Sequence, residues 1–259
     1  RADAMLDFLP RLVAQPSVLG NEAGAVDVAE AEMRALGFAP TRVPIDPEAL
    51  AGHPGFAPVL WEYEPGDGRD NLVAVVPGTG GGRSALFDGH LDVVSHEPGE
   101  LWSTDPFEPV VRDGWMHGRG AGDMKSGVAA MLHAARAIDD AGLALGGDLT
   151  LETVIEEECC GNGALACRAA GYDADAALIP EPFGPTLLTH QVGVLWFLVR
   201  VTGSAGHVLD TAASTDAIEK SYALMAALRE LEAEMNAEPR PTAYANHPHP
   251  LNLNIGVFE

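Results

Sequence analysis

At 259 residues, 47% of them hydrophobic and 20% charged, the chain is long enough to bury a core and too apolar to be a disordered tail. Its 15 basic residues against 38 acidic ones leave a formal charge of -23, which argues against nucleic acid and anionic membrane surfaces as partners. No apolar run approaches the ~18 residues of a membrane span, and the first residues read as an amphipathic helix rather than a signal peptide. Three cysteines make no disulfide framework, so the expectation is a cytoplasmic protein.

In chain order, Met5, Leu6, Leu9, Leu12 and Val13 fall at helical spacing over residues 3–14, until Pro16 and Gly20 break the pattern. A second helix is expected from Asn21, as N-cap, to Leu36, with Gly37 beyond its end. Residues 44–58 carry four prolines and two glycines and read as a surface loop, in which His53 is solvated. Strands follow at 59–63, 72–76 and 84–87, the last running into Asp88-Gly89-His90-Leu91-Asp92. A loop and a hairpin around Asp113-Gly114 lead to the turn at residues 118–127.

That turn has four glycines in ten residues, which leaves the backbone free to aim the Asp123 carboxylate inward. Met124, Val128, Met131, Leu132, Ala135 and Ile138 then mark one helix face, with Gly142 as the stop. An apolar run at 149–155 ends in Glu156-Glu157-Glu158, a short helix follows at 162–170, and a second run at 176–179 ends in Pro180-Glu181-Pro182. Strands alternating with helices imply an α/β layer with a largely parallel, mixed sheet. In such sheets functional groups gather beyond the carboxyl ends of the strands, where His90, Glu157, Glu158 and Glu181 stand. From residue 193 a strand at 195–201, a turn at 203–207, a helix at 214–235 and a strand at 251–257 read as a smaller α+β domain. The expected division is 1–192 and 193–259. The chain stops in what reads as mid-element, so the sequence looks incomplete at its C-terminus.

Each candidate residue has a plain alternative. Asp123 also fits a helix N-cap, His90 with Asp92 also fits a satisfied core histidine, and 156–158 also fits a solvated charge run. Residues two apart on a strand share a side, so the Asp92 carboxylate can accept the second ring N–H of His90. Adjacent Glu157 and Glu158 cannot point the same way, so one can bind a metal while the other handles protons. Brought together, Asp92, Asp123, Glu157, Glu158 and Glu181 would repel by roughly 4 kcal/mol per pair at ~4 Å and an effective dielectric of 20. Protons or cations must neutralise them, and an imidazole with carboxylates suits zinc or a similar divalent ion.

Gly89-His90-Leu91-Asp92-Val93-Val94, Trp102 with Asp105-Pro106-Phe107, residues 118–125, Glu156-Glu157-Glu158 and Pro180-Glu181-Pro182 together resemble the M20 metallopeptidase and deacylase family. The resemblance implies a zinc-peptidase-like fold with an inserted lid and dimerisation domain. It implies two divalent cations, zinc or else cobalt or manganese. Asp123 would bridge them, His90 and Glu181 would complete one and Glu158 the other. Glu157 would act as the general base that takes a proton from the bridging water and passes it to the leaving amine, Asp92 would orient His90, and His207 would polarise the scissile carbonyl across a homodimer. The implied substrate is a small N-acyl amino acid or short peptide. Acetylornithine deacetylase-like deacylation comes first, then desuccinylase, carboxypeptidase or dipeptidase action, and as a non-enzyme alternative a dimerisation scaffold. The family's last metal-binding histidine and its carboxylate-binding arginine have no match here. His247 and His249 do not fit that ligand. Cys159 and Cys160 could take a soft metal, but their place beside a helix start favours packing.

Overall fold

Short apolar runs pair into one five-stranded sheet, because each strand can satisfy its main-chain groups only through a neighbour. The computed structural model describes residues 2–58, 62–64, 66–184, 186–191, 193–195, 197–207, 214–247 and 250–256. The chain divides into two compact units, Arg1–Gly184 and Pro185–Glu259.

In the first unit α1 (Ala2–Val13) and α2 (Ala23–Ala35) precede β1 (Thr41–Pro44) and the short α3 (Pro47–Leu50). Then come β2 (Asp70–Val76), β3 (Ala85–His90), a hairpin of β4 (Val110–Arg112) and β5 (Trp115–His117), and α4 (Lys125–Asp140). The unit ends with β6 (Leu149–Val154), α5 (Asn162–Ala169) and β7 (Ala176–Leu178). The sheet order is β1-β2-β6-β3-β7. β3 pairs in parallel with both β6 and β7, while β2 runs antiparallel to β6 and β1 antiparallel to β2. Four of the five strands therefore point one way, so the carboxyl ends of β3, β6 and β7 share one edge. This is the largely parallel α/β layer that the alternation of strands and helices implies.

Period-two alternation gives the sheet two faces. One carries Leu72, Ala74, Leu149 and Leu151, and α4 buries Val128, Met131, Leu132 and Ala135 against it. Phe8, Leu12, Val26, Ala29 and Met33 of α1 and α2 complete that core. Each Val, Leu, Met or Phe among them contributes roughly 1.5–3 kcal/mol on burial. The opposite face is thinner, built on Val43, Val73, Val154 and Cys167 under α5. Gly127 lets the first turn of α4 abut the end of β7, since a Cβ there would lie 2.3 Å from the Pro180 carbonyl oxygen. That contact brings the strand end leading to Glu181 up against the helix start that follows Asp123.

Several local expectations are corrected. α2 begins at Ala23 with Glu22, not Asn21, at the N-cap position, and the Glu22 carboxylate makes no cap hydrogen bond because it is held in a buried ion pair with Arg69. The expected loop at 44–58 contains α3, which Asp46 caps by accepting the N–H groups of Glu48 and Ala49, and Leu50 is buried beneath it. β1 was not expected at all. Of the strand expected at 59–63, residues 59–61 lie outside the described residues and 62–63 are not strand.

In the second unit α6 (Ala217–Ala237) is capped by Asp216, which accepts the N–H groups of Ile218 and Glu219. An isolated antiparallel bridge joins Ser204 and Thr215. The strands expected at 195–201 and 251–257 are absent among the described residues of those segments, where no ladder partner lies alongside. Val192, Trp196, Val257 and His249 lie outside the described residues. No helix among the described residues is long and apolar enough to cross a membrane.

Candidate metal centre

His90 ends β3 with its side chain only 1% exposed, and three carboxylates from three other segments face its Nε2. Asp123 Oδ1 lies at 3.1 Å, Glu181 Oε1 at 3.6 Å and Glu157 Oε2 at 3.7 Å. Glu157 and Glu158 follow β6 and Glu181 follows β7, so the shared edge of the parallel strands delivers them. Asp123 lies two residues before α4 and does not cap it. The N-cap position is Met124, with no side-chain cap hydrogen bond, and the Asp123 carboxylate is turned to the imidazole instead. Gly120 adopts φ +78° in the turn before it, and a Cβ there would meet Val93 at 2.5 Å.

The tautomer of His90 follows from its other nitrogen. Nδ1 lies 2.8 Å from the Asp92 main-chain carbonyl oxygen, which can only accept, so Nδ1 carries the proton and Nε2 faces the carboxylates. Here the structure corrects the expected pairing: the Asp92 carboxylate is 3.6 Å from Nδ1 and does not bond to it. Its oxygens accept the main-chain N–H groups of Glu157 at 3.3 Å and Glu158 at 3.1 Å. A buried carboxylate at this depth takes donors that are fixed in place, and the turn after β6 supplies two. Leu91 and Val93 are held as well, Leu91 N–H donating to Val154 and Val93 N–H to Ser17.

The electrostatics are those of a crowded anionic site. Burial pushes the Asp92 carboxyl up to about 7, against the opposing pull of His90. Burial also pushes Glu181 up to about 7, reinforced by the charges of Asp123 and Glu157 and opposed by His90. Glu158 is raised by burial too. His90 is raised despite its burial, because Asp92, Glu157 and Glu181 surround it with negative charge. Such a site stores unmet demand for positive charge.

Two donor sets result. Atoms of His90, Asp123 and Glu158 lie within 4.8 Å of one another, as do atoms of His90, Glu157 and Glu181. One imidazole among carboxylates is the donor chemistry of zinc and similar divalent ions, so the residues present fit such a group. Of the seven candidate residues, six therefore meet at one edge of the first unit. His207 belongs to the second unit, in the segment after Gly203. His247, also in the second unit, is exposed.

Two buried cations stand near the centre without having been singled out from the sequence. Arg69 is 3% exposed and holds Glu22 at 2.6 Å and Glu156 at 3.4 Å, partners 47 and 87 residues away. Lys125 is fully buried, donates to the Gln15 carbonyl oxygen at 2.8 Å, and is lowered to about 7 by burial.

The profile of peptidase family M20/M25/M40 matches residues 86–249. An N-formyl-4-amino-5-aminomethyl-2-methylpyrimidine deformylase of Bacillus subtilis is 35% identical over 69% of this chain and 44% of its own length. A succinyl-diaminopimelate desuccinylase of Methylobacterium radiotolerans is 36% identical over 80% of this chain and 50% of its own. The chain thus spans about half the length of these curated relatives. A tripeptidase from Staphylococcus aureus superposes with a TM-score of 0.57 at 20% identity, over 87% of this chain and 56% of that one, which shows a shared fold. With the family profile covering more than half of its residues, the chain belongs to peptidase family M20/M25/M40.

Proposed function

We propose that the chain is the metal-binding part of an amidohydrolase that removes an acyl group from an N-acyl amino acid or a similar small amide. The observation that carries this reading is the meeting of His90, Asp123, Glu157, Glu158 and Glu181 at one sheet edge. His90, Asp123, Glu158 and Glu181 would hold two divalent cations, zinc in the first instance, with Asp123 between them. When bound, such cations polarise an amide carbonyl and acidify a water.

The chain's own residues supply the rest. Glu157 has its side chain 46% exposed beside the buried His90, so a substrate can reach it, and it is placed to take a proton from water and deliver it to the leaving nitrogen. Asp92 fixes the two glutamates through their N–H groups and His90 through its carbonyl. His207 would act on the scissile carbonyl from a second copy of the chain. A homodimer through the second unit is supported by Ile218 and Tyr222, which α6 exposes. Three free cysteines suit a reducing, cytoplasmic setting.

Two relatives whose names denote removal of a formyl and a succinyl group support N-deacylation over peptide hydrolysis. The test is amine release from formyl, acetyl and succinyl amino acids, acetylornithine among them, and from dipeptides, with and without chelator. Turnover of one acyl class that a chelator abolishes supports the proposal. Turnover of dipeptides alone favours peptidase action, and chelator-resistant turnover or none in a metal-loaded, full-length protein contradicts it.

A further inference from the structure

Apart from the carboxylate centre, one group of donor atoms mixes hard and soft ligands. Glu156, Cys159 and Cys160 place theirs within 4.8 Å of one another. Glu156 is fully buried at φ +64°, and its two oxygens face different ways. Oε1 lies 3.4 Å from Arg69, and Oε2 accepts from the Cys160 thiol at 3.0 Å. The turn is closed on itself, since the N–H groups of Cys160 and Gly161 both donate to the Glu156 carbonyl.

The sulfur positions distinguish two chemistries. Cys159 and Cys160 hold their Sγ atoms 3.6 Å apart. A disulfide needs about 2.0 Å, so oxidation would require the pair to close by more than an ångström. Two thiolates at about 2.3 Å from one tetrahedral zinc sit about 3.8 Å apart, close to what the turn already presents. Cys159 also lines an open cavity with Val18, Leu19, Val94 and Glu158, which gives a cation a route in.

The geometry points to a second kind of cation site, a thiophilic one for zinc or cadmium, built from the two adjacent thiolates and the Glu156 carboxylate. Binding releases the two thiol protons to solvent and forms two sulfur–metal bonds and one oxygen–metal bond, with no change of oxidation state. Arg69 keeps the carboxylate aimed and offsets part of its charge. A cation seated there would brace the turn that carries Glu157 and Glu158. The site stands whether or not the amidohydrolase reading is correct, since it shares no ligand with that centre.

Cadmium titration of the reduced, metal-free full chain tests it, because only thiolate ligation gives a sulfur-to-cadmium charge-transfer band. The expected result is one thiolate-bound cadmium per chain, with two protons released for it in Asp123→Ala, where the carboxylate centre is disabled. The band should persist in Asp123→Ala, which disables the carboxylate centre, and in Cys167→Ala. Cys159→Ser and Cys160→Ser should each weaken binding at least about tenfold, since even partners outside the ligand shell are worth 10–100-fold. Absence of the band in wild type, its survival in the Cys159→Ser/Cys160→Ser double variant, or its loss in Asp123→Ala would overturn the site. The band in wild type and in Asp123→Ala decides the matter even if a cysteine variant fails to fold.

Discussion

Asp92 accepts the main-chain N–H of Glu158 at 3.1 Å, and through it the end of β3 is tied to the turn after β6. The same carboxylate accepts from Glu157, while the Asp92 carbonyl holds His90. One side chain and its own carbonyl therefore set the position of three members of the proposed centre. Asp92→Ala should retain the fold and lose about 10–100-fold in metal affinity, with a larger loss in turnover than in substrate binding. Zinc titration and a kcat against KM comparison measure the split, and unchanged zinc affinity would remove the positioning role.

Glu157 and Asp123 should separate by readout. Glu157→Ala is expected to keep metal content near wild type and abolish turnover, because its proposed task is proton transfer. Hydrolysis at the normal rate by Glu157→Ala in the full-length protein would show that another group moves the proton.

Arg69 is the buried cation between Glu22 and Glu156. Arg69→Met leaves two buried carboxylates without their partner, and breaking a buried pair from one side costs about 3–5 kcal/mol. Chemical denaturation should show that loss, with Glu22→Gln in the Arg69→Met background recovering part of it. A variant as stable as wild type would mean that both carboxylates reach solvent or protonate at no cost.

Glu152 sits in register with Asp88 on the neighbouring strand, and each has a buried oxygen without a hydrogen-bond partner. Burial, and then the Asp88 charge, push its carboxyl up to about 8. The native state then holds a proton that the unfolded chain gives up near its ordinary value of 4.5. Its contribution to stability is complete below that value and is lost as pH rises toward 8. Glu152→Gln should accordingly gain on wild type as pH is raised from 4.5 to 8, by thermal or urea unfolding. A difference that does not change with pH would place the Glu152 carboxyl in ordinary ionisation.

Much of this was legible in the chain because the signals are local. The run 149–155 and the glycine-rich turn before α4 mark their own positions, and the motifs around His90, Asp123, Glu157 and Glu181 name the residues that meet. What failed depends on partners distant in sequence. β1 has four residues, ends in Pro44 and is a strand only because β2 lies beside it. Arg69 lies next to a glycine-rich turn that gives no hint of two buried partners. The Asp92 carboxylate turned from the imidazole to two amides because those donors come from a turn 65 and 66 residues away. The segments 195–201 and 251–257 read as strands, yet Leu195 and Leu198 are 83% and 85% exposed and no ladder forms among the described residues there.

The most direct test is metal content after exhaustive dialysis, compared between the wild-type chain and its His90→Ala and Asp123→Ala variants. The account predicts that wild type retains more tightly bound divalent cation than either variant, both losing the cations of the carboxylate centre while remaining folded. Equal metal content in all three, with the fold intact, would contradict it.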